Sequence, residues 1–204
     1  MLSGAVVCAP LVLASSAQAA SNSPTASVRS GGPTVVGLYG AQDPVYNAAF
    51  RQGFAILGLK SAKAGINSDA LAWLTKQQCS NGSWSAYRSD LSVPCAPPNP
   101  DTYSGSDSNS TSMGAAAFAV AGKTKKMSRA IAWLRARQNS DGGWAYYSAP
   151  GATSDANSTG LVVMALTAAG KDSSKIRQKG GKSAAQYLRS VQKRCSAPAD
   201  VRGG

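Results

Sequence analysis

The chain has 204 residues and a formal net charge of +12, with no His and no Glu, so its only side-chain carboxylates are nine Asp. Without imidazole there is no Ser-His or Cys-His nucleophile pair and no His-based zinc site, and the only carboxylates left for acid-base work are those Asp. A chain of this length can bury a sizeable core, and its basic charge favours anionic partners.

The first nineteen residues, "MLSGAVVCAPLVLASSAQA", are apolar and then small, and they end in Ala17-Gln18-Ala19, the pattern of a signal peptidase site. Residues 1–19 are therefore read as a secretory signal, and the mature chain is expected to be secreted or held at the cell surface. No basic residue precedes the apolar stretch, so the full signal is expected to begin further upstream. An exported chain does not meet nucleic acid as a usual partner. Residues 20–35, "ASNSPTASVRSGGPTV", are rich in Ser, Gly and Pro and read as a disordered leader. The folded part is expected over 36–204, and no later apolar run approaches the roughly 18 residues of a membrane span.

From Val36 onward the chain repeats. "DALAWLTKQQ", "RAIAWLRARQ" and "SAAQYLRSVQ" align without gaps and match Trp73, Trp133 and Tyr187, then Gln78, Gln138 and Gln192. Around Trp133, apolar residues alternate with Arg129, Arg135 and Arg137, the one-sided stripe of an amphipathic helix. A second element opens Asp-x-Asn-Ser-Thr at Asp107 and again at Asp155, runs through small and apolar residues, and ends in Gly-Lys at 122–123 and 170–171. "DPVYNAAFRQGFAILGLK", from Asp43 to Lys60, is a diverged first copy. Each copy starts with a good N-cap and stops at residues suited to a helix C-terminus, so each predicts a buried helix. The unit is a buried helix, a turn, an amphipathic helix and a Gly/Trp loop, and such units stack because none buries its apolar face alone.

Loop length locates an insertion: Gln138 to Asp155 spans 17 positions, whereas Gln78 to Asp107 spans 29 and contains "VPCAPPNP". Cys79 and Cys95 bracket much of it and are expected to pair in an oxidising compartment, where closing a loop of about 15 residues contributes on the order of 3 kcal/mol. Cys8 departs with the signal, which leaves Cys195 without a partner.

"QNSDGGW" at 138–144 and its variant "QCSNGSW" at 78–84, set between alternating helix types, resemble the repeats of the prenyltransferase and squalene cyclase superfamily, a terpenoid cyclase-like group; cobalamin carriers and complement thioester domains are similar in fold. The resemblance covers about 36–204. It implies an all-α fold, an α/α toroid of about three inner/outer helix pairs forming an incomplete or half ring, with inner helices lining a central cavity. The helices near Asp43, Asp107 and Asp155 would be inner, and those holding Trp73, Trp133 and Tyr187 outer. After Gln192 the chain ends at Gly203-Gly204, where a repeat would continue to Trp, so a C-terminal truncation is expected.

A physical reading assigns Gln78, Trp84, Gln138 and Trp144 a structural role, because a repeated residue set serves a repeated structural need. The Asp-x-Asp-Asp acid of hopene-type cyclases, the His of prenyltransferase zinc sites and the Glu of the thioester motif are all missing here. No metal or cofactor is expected, and binding is the leading expectation. Asn109, Ser110, Thr111, Asn157, Ser158 and Thr159, with Tyr103, Tyr146 and Tyr147 in the preceding loops, are candidate contacts for a ligand, including a hydrophobic small molecule. Ten Lys and Arg between Lys60 and Lys182 follow the ends of the inner helices and suit an anionic cell-wall polymer or lipid headgroups. The alternatives are a fragment of a terpene cyclase-like or prenyltransferase-like enzyme whose catalytic residues lie in a missing half, a cobalamin-carrier-like binder, and a purely structural surface module.

Overall fold

The computed structural model describes residues 36–40, 44–193, 196–198 and 200. The expected signal at 1–19, the leader at 20–35, Cys195 and Gly203-Gly204 lie outside the described residues. The rest is all-α, with six helices: α1 (Pro44–Ser61), α2 (Ser68–Gln77), α3 (Ser108–Val120), α4 (Thr124–Arg135), α5 (Ala156–Ala168) and α6 (Ala184–Val191). Among the described residues no helix is long and apolar enough to cross a membrane.

Two kinds of helix alternate, as the composition of the segments requires. In α3 every residue from Ser108 to Phe118 is buried, while in α4 only Ala130, Ile131, Trp133 and Leu134 are. The small residues of α3 explain its central place. It packs against α1 on one side, α5 on another and α4 behind, and Gly53 of α1 sits so close that a Cβ there would stand 2.6 Å from the Met113 carbonyl oxygen. This corrects one expectation: among the described residues Ser108 to Phe118 of α3 are enclosed by neighbours, so this stretch does not line the open central cavity that the resemblance implied.

The three inner helices share one way of stopping. Gly122 (φ +71°) and Gly170 (φ +67°) take the left-handed conformation just past α3 and α5. The Lys123 and Lys171 amides reach back to Phe118 and Leu166, and the two Gly amides to Ala119 and Thr167. This is the paired closure that satisfies the last carbonyls of a helix. After α1 the same closure forms, with Ala64 donating to Leu59 and Lys63 to Lys60, but the left-handed residue is Lys63 (φ 55°).

Periodicity did not predict strands, and two short ones exist. β1 (Trp84–Ser85) pairs antiparallel with β2 (Ser106–Asp107), with Trp84 opposite Asp107. One unit later Trp144 and Asp155 form an equivalent bridge.

Candidate functional site

The Gly/Trp loops are joints, and their bonding is the same atom for atom in two copies. Gln78 Nε2 donates to the Gly82 carbonyl at 2.9 Å and the Lys126 carbonyl at 3.0 Å. Gln138 Nε2 donates to Gly142 at 2.9 Å and Ile176 at 3.2 Å. Each buried amide thus ties its own turn to the start of the next outer segment. The Trp84 indole N–H donates to the Leu74 carbonyl at 2.9 Å and that of Trp144 to Leu134 at 2.8 Å. Both rings are fully buried, and Trp84 lies edge-on to Phe118 at 5.2 Å. Gly114 is required beneath it, since a Cβ would meet the ring at 2.9 Å. Gly82 (φ +96°) and Gly142 (φ +93°) are also required, because their left-handed turns press against the backbones of Arg129 and Ser183.

Another joint, the first in chain order, precedes α1, and periodicity missed it. Gly37 (φ +86°) presses on the Asp69 backbone as its counterparts press on α4 and α6. No Gln stands four positions before Gly37. Gln52, fully buried on α1, supplies the contact instead: its Nε2 donates to the Gly37 carbonyl at 2.7 Å and to Ala70 at 3.1 Å, while its Oε1 accepts from the Tyr39 amide at 2.8 Å. The signal that could have revealed this joint is the spacing Gly37-x-Tyr39, which matches Gly82-x-Trp84 and Gly142-x-Trp144.

The candidate ligand residues divide into two groups. Thr111 and Thr159 are buried, and their hydroxyls accept from the Trp84 and Trp144 amides at 3.0 and 2.9 Å. Asn109, Ser110 and Ser158 are buried as well. Asn157 is exposed. Tyr103 is 79% exposed, Tyr146 and Tyr147 are half-buried, and the three rings form one cluster. Tyr147 lies 6.3 Å from Tyr103 and 4.6 Å from Tyr146, and its hydroxyl donates to the Tyr103 carbonyl. The structure thus brings the three Tyr together at the surface and keeps most of the hydroxyl set inside.

Both opening Asp residues are N-caps. Asp107 accepts from the Ser110 amide at 2.6 Å and Asp155 from the Ser158 amide at 2.7 Å. Their surroundings differ. Asp107 is fully buried and Asp155 only half, and loss of hydration pushes the Asp107 carboxyl up to about 7 against the pull of the Ser110 and Asn109 amides. Its second oxygen has no hydrogen-bond partner, and neither do Asn109 Oδ1 and Ser110 Oγ.

Cys79 and Cys95 are joined in a disulfide of 2.02 Å. It holds the long loop to the second joint. The surface of the described region is strongly cationic after the inner helices: Lys60, Lys63, Lys123, Lys125, Lys171 and Lys179 are all exposed, and among the described residues the one ion pair is Lys175 with Asp172 at 3.4 Å.

Residues 106–199, slightly under half of the chain, match the family model of the squalene-hopene cyclase C-terminal domain. No curated protein matches the chain. That match begins at β2 and runs through α6, across the joint that repeats in the preceding unit, so this stretch of the all-α fold is similar to the squalene-hopene cyclase C-terminal domain.

Proposed function

We propose that this squalene cyclase-like domain is a secreted, non-catalytic binding module that docks on an anionic cell-wall polymer through the lysines following α1, α3 and α5. The observation that carries the reading is the imbalance of charge. Exposed Lys residues follow each inner helix, whereas Asp107 and Asp155 serve as helix caps rather than as ion-pair partners. Closely spaced cations without counter-charges attract a polyanion strongly and in a salt-dependent way. The disulfide accords with an oxidising compartment. The surface Tyr cluster, with Asn157 exposed on α5, is the part of the predicted ligand set that a small molecule can reach.

The test is retention of the purified domain on immobilised anionic wall polymer. Binding that weakens steeply with added salt is expected, and loss of retention is expected when Lys123, Lys125 and Lys171 are changed to Gln. Retention unchanged by salt or by those substitutions would count against the reading.

A second reading has its own observation. Asp107 is a buried acid with one unpartnered oxygen, held up to about 7, and the family match is to a cyclase domain. A piece of a terpene cyclase-like enzyme would fit that acid. Turnover of a linear polyprenoid that Asp107→Asn abolishes would favour it over the binding module.

A further inference from the structure

In a chain with 21 Lys and Arg, positions 89–122 and 138–170 contain neither. These spans hold the loops that lead into α3 and α5 and the two helices themselves. Cations therefore follow the C-terminal ends of these inner helices, and none stands in the loops at their starts. Tyr103, Tyr146 and Tyr147 belong to those cation-free loops, and the Ser108 amide at the start of α3 donates to the Tyr146 carbonyl at 2.9 Å.

Tyr103 sits at the tip of a hairpin within the insertion, which the shorter loop before α5 does without. Asn99 and Ser104 exchange backbone hydrogen bonds at 3.0 and 3.2 Å, and the Asn99 side chain accepts from the Asp101 and Thr102 amides at 2.9 and 3.1 Å. At the base the Ser106 amide donates to the Ala96 carbonyl at 3.1 Å, and Cys95 is bonded to Cys79. The tip is thus held in one shape in advance of any ligand. Within it Tyr103 has φ 50°, the left-handed conformation in which a side chain is strained. Among the described residues Lys63 is the one other non-Gly residue there, and it stands where a helix must stop. Tyr103 is 79% exposed, so core packing does not offset its strain.

The Tyr103 ring opens a row of three. Tyr147 meets it edge-on at 6.3 Å and Tyr146 at 4.6 Å, and the Tyr147 hydroxyl donates to the Tyr103 carbonyl at 2.6 Å, which ties the two loops together. A Tyr face carries a negative quadrupole that suits the C–H groups on the flat side of a sugar ring, and its hydroxyl can exchange hydrogen bonds with sugar hydroxyls. Tyr also presents this area with few rotatable bonds to freeze. With no Lys or Arg in either loop, the surface offers no cation from these loops to hold a phosphate or carboxylate.

We infer that this Tyr platform binds a neutral, β-linked glycan strand. The inference rests on the binding-module reading and deepens it by naming the ligand class of the Tyr cluster. Polyanion is held by the lysines after the inner helices and uncharged sugar by the loops before α3 and α5, whose 13 residues separate the two ends by about 20 Å.

Titration calorimetry of the full chain with N-acetylglucosamine hexasaccharide and with cellohexaose tests this. Binding of at least one is expected, equal at low and high salt because no charge is screened, and the ratio of the two tells an amino-sugar strand from a plain glucan. Tyr103→Gly should weaken binding about tenfold or more, yet raise the melting temperature, since Gly relieves the left-handed strain. A ring that served only the fold would lower it. The variant with Lys123, Lys125 and Lys171 changed to Gln should bind the sugar as the wild type does. No binding of either sugar, binding that falls with salt, a Tyr103→Gly chain that binds as tightly or melts lower, or binding of tetramethylammonium in place of the sugars would overturn the inference. Sugar binding that persists where polyanion retention fails removes the polyanion reading alone, and the reverse result removes this inference alone.

Discussion

The second and third joints share one hydrogen-bond frame, and one of the positions at which they differ carries the fastening of the loop. Where the third has Asn139, whose side chain donates to the Ala152 carbonyl at 2.9 Å and to Ser154 Oγ at 2.8 Å, the second has Cys79, bonded covalently to Cys95. Both hold the loop that leads to the next inner helix. The loop after the second joint is the longer one, and a longer loop loses more entropy on closure. The covalent tether stands where the entropic demand is greater, and two hydrogen bonds suffice in the shorter copy. The frame is common to the repeat, and the fastening is fitted to the individual loop.

Breaking the frame itself should have the largest effect. Trp84→Ala and Trp144→Ala each remove a fully buried ring and leave the Leu74 or Leu134 carbonyl without its donor, so each should cost about 3–5 kcal/mol in urea unfolding. The loss should be greater at Trp84, where Phe118 and the surface over Gly114 lose their cover. Equal losses would mean that the two joints are energetically interchangeable.

The two capping Asp residues sharpen the contrast through pH. The folded-state value of Asp107, about 7, lies above its ordinary 3.8, so between those values the folded protein holds this proton more tightly than the unfolded chain does. The stability it contributes is complete below the ordinary value and is lost as pH rises to about 7, amounting to a few kcal/mol in order of magnitude. Asp107→Asn keeps a capping oxygen and should flatten that part of the stability curve, measured by thermal melting across the range, with Asp155→Asn as the control. A slope unchanged in Asp107→Asn would place its origin elsewhere.

The tethers come next. Changing Cys79 and Cys95 together to Ala should cost about 3 kcal/mol through the reopened loop, against about 1 kcal/mol for Asn139→Ala; chemical denaturation of the two variants checks the ratio. The smallest effect expected is a gain. Lys63→Gly should stabilise the protein by about 1 kcal/mol, because Lys63 occupies the left-handed position that Gly122 and Gly170 fill after the other two inner helices. No gain would show that contacts of the Lys63 side chain offset its backbone cost.

Much of this was legible in the residues. The alternation of buried and amphipathic helices follows from the apolar pattern of α3 and the one-sided stripe of α4, and the N-caps follow from Asp107 and Asp155, because each depends on neighbours within a few positions. Gln78, Gln138, Trp84 and Trp144 were readable as joint residues because they recur in register. Gln52 was not, since it replaces a Gln absent from its own repeat position and acts from a different helix, 15 positions from the Gly37 carbonyl it serves. The two-residue strands escaped notice because they are too short to show a period.

The candidate ligand set marks the same boundary. Asn109 and Asn157 stand at the same place in the same motif, yet one is buried and the other exposed. By itself the sequence determined which helices form, where they stop and which residues make the two Gln/Trp joints, because propensity, capping and repeated local contacts act over short stretches of chain. Only the tertiary structure decided which copies are enclosed. Burial depends on what packs from outside the segment, and with helices on both sides α3 loses its water, along with Asp107 at its start, while α5 keeps one face open.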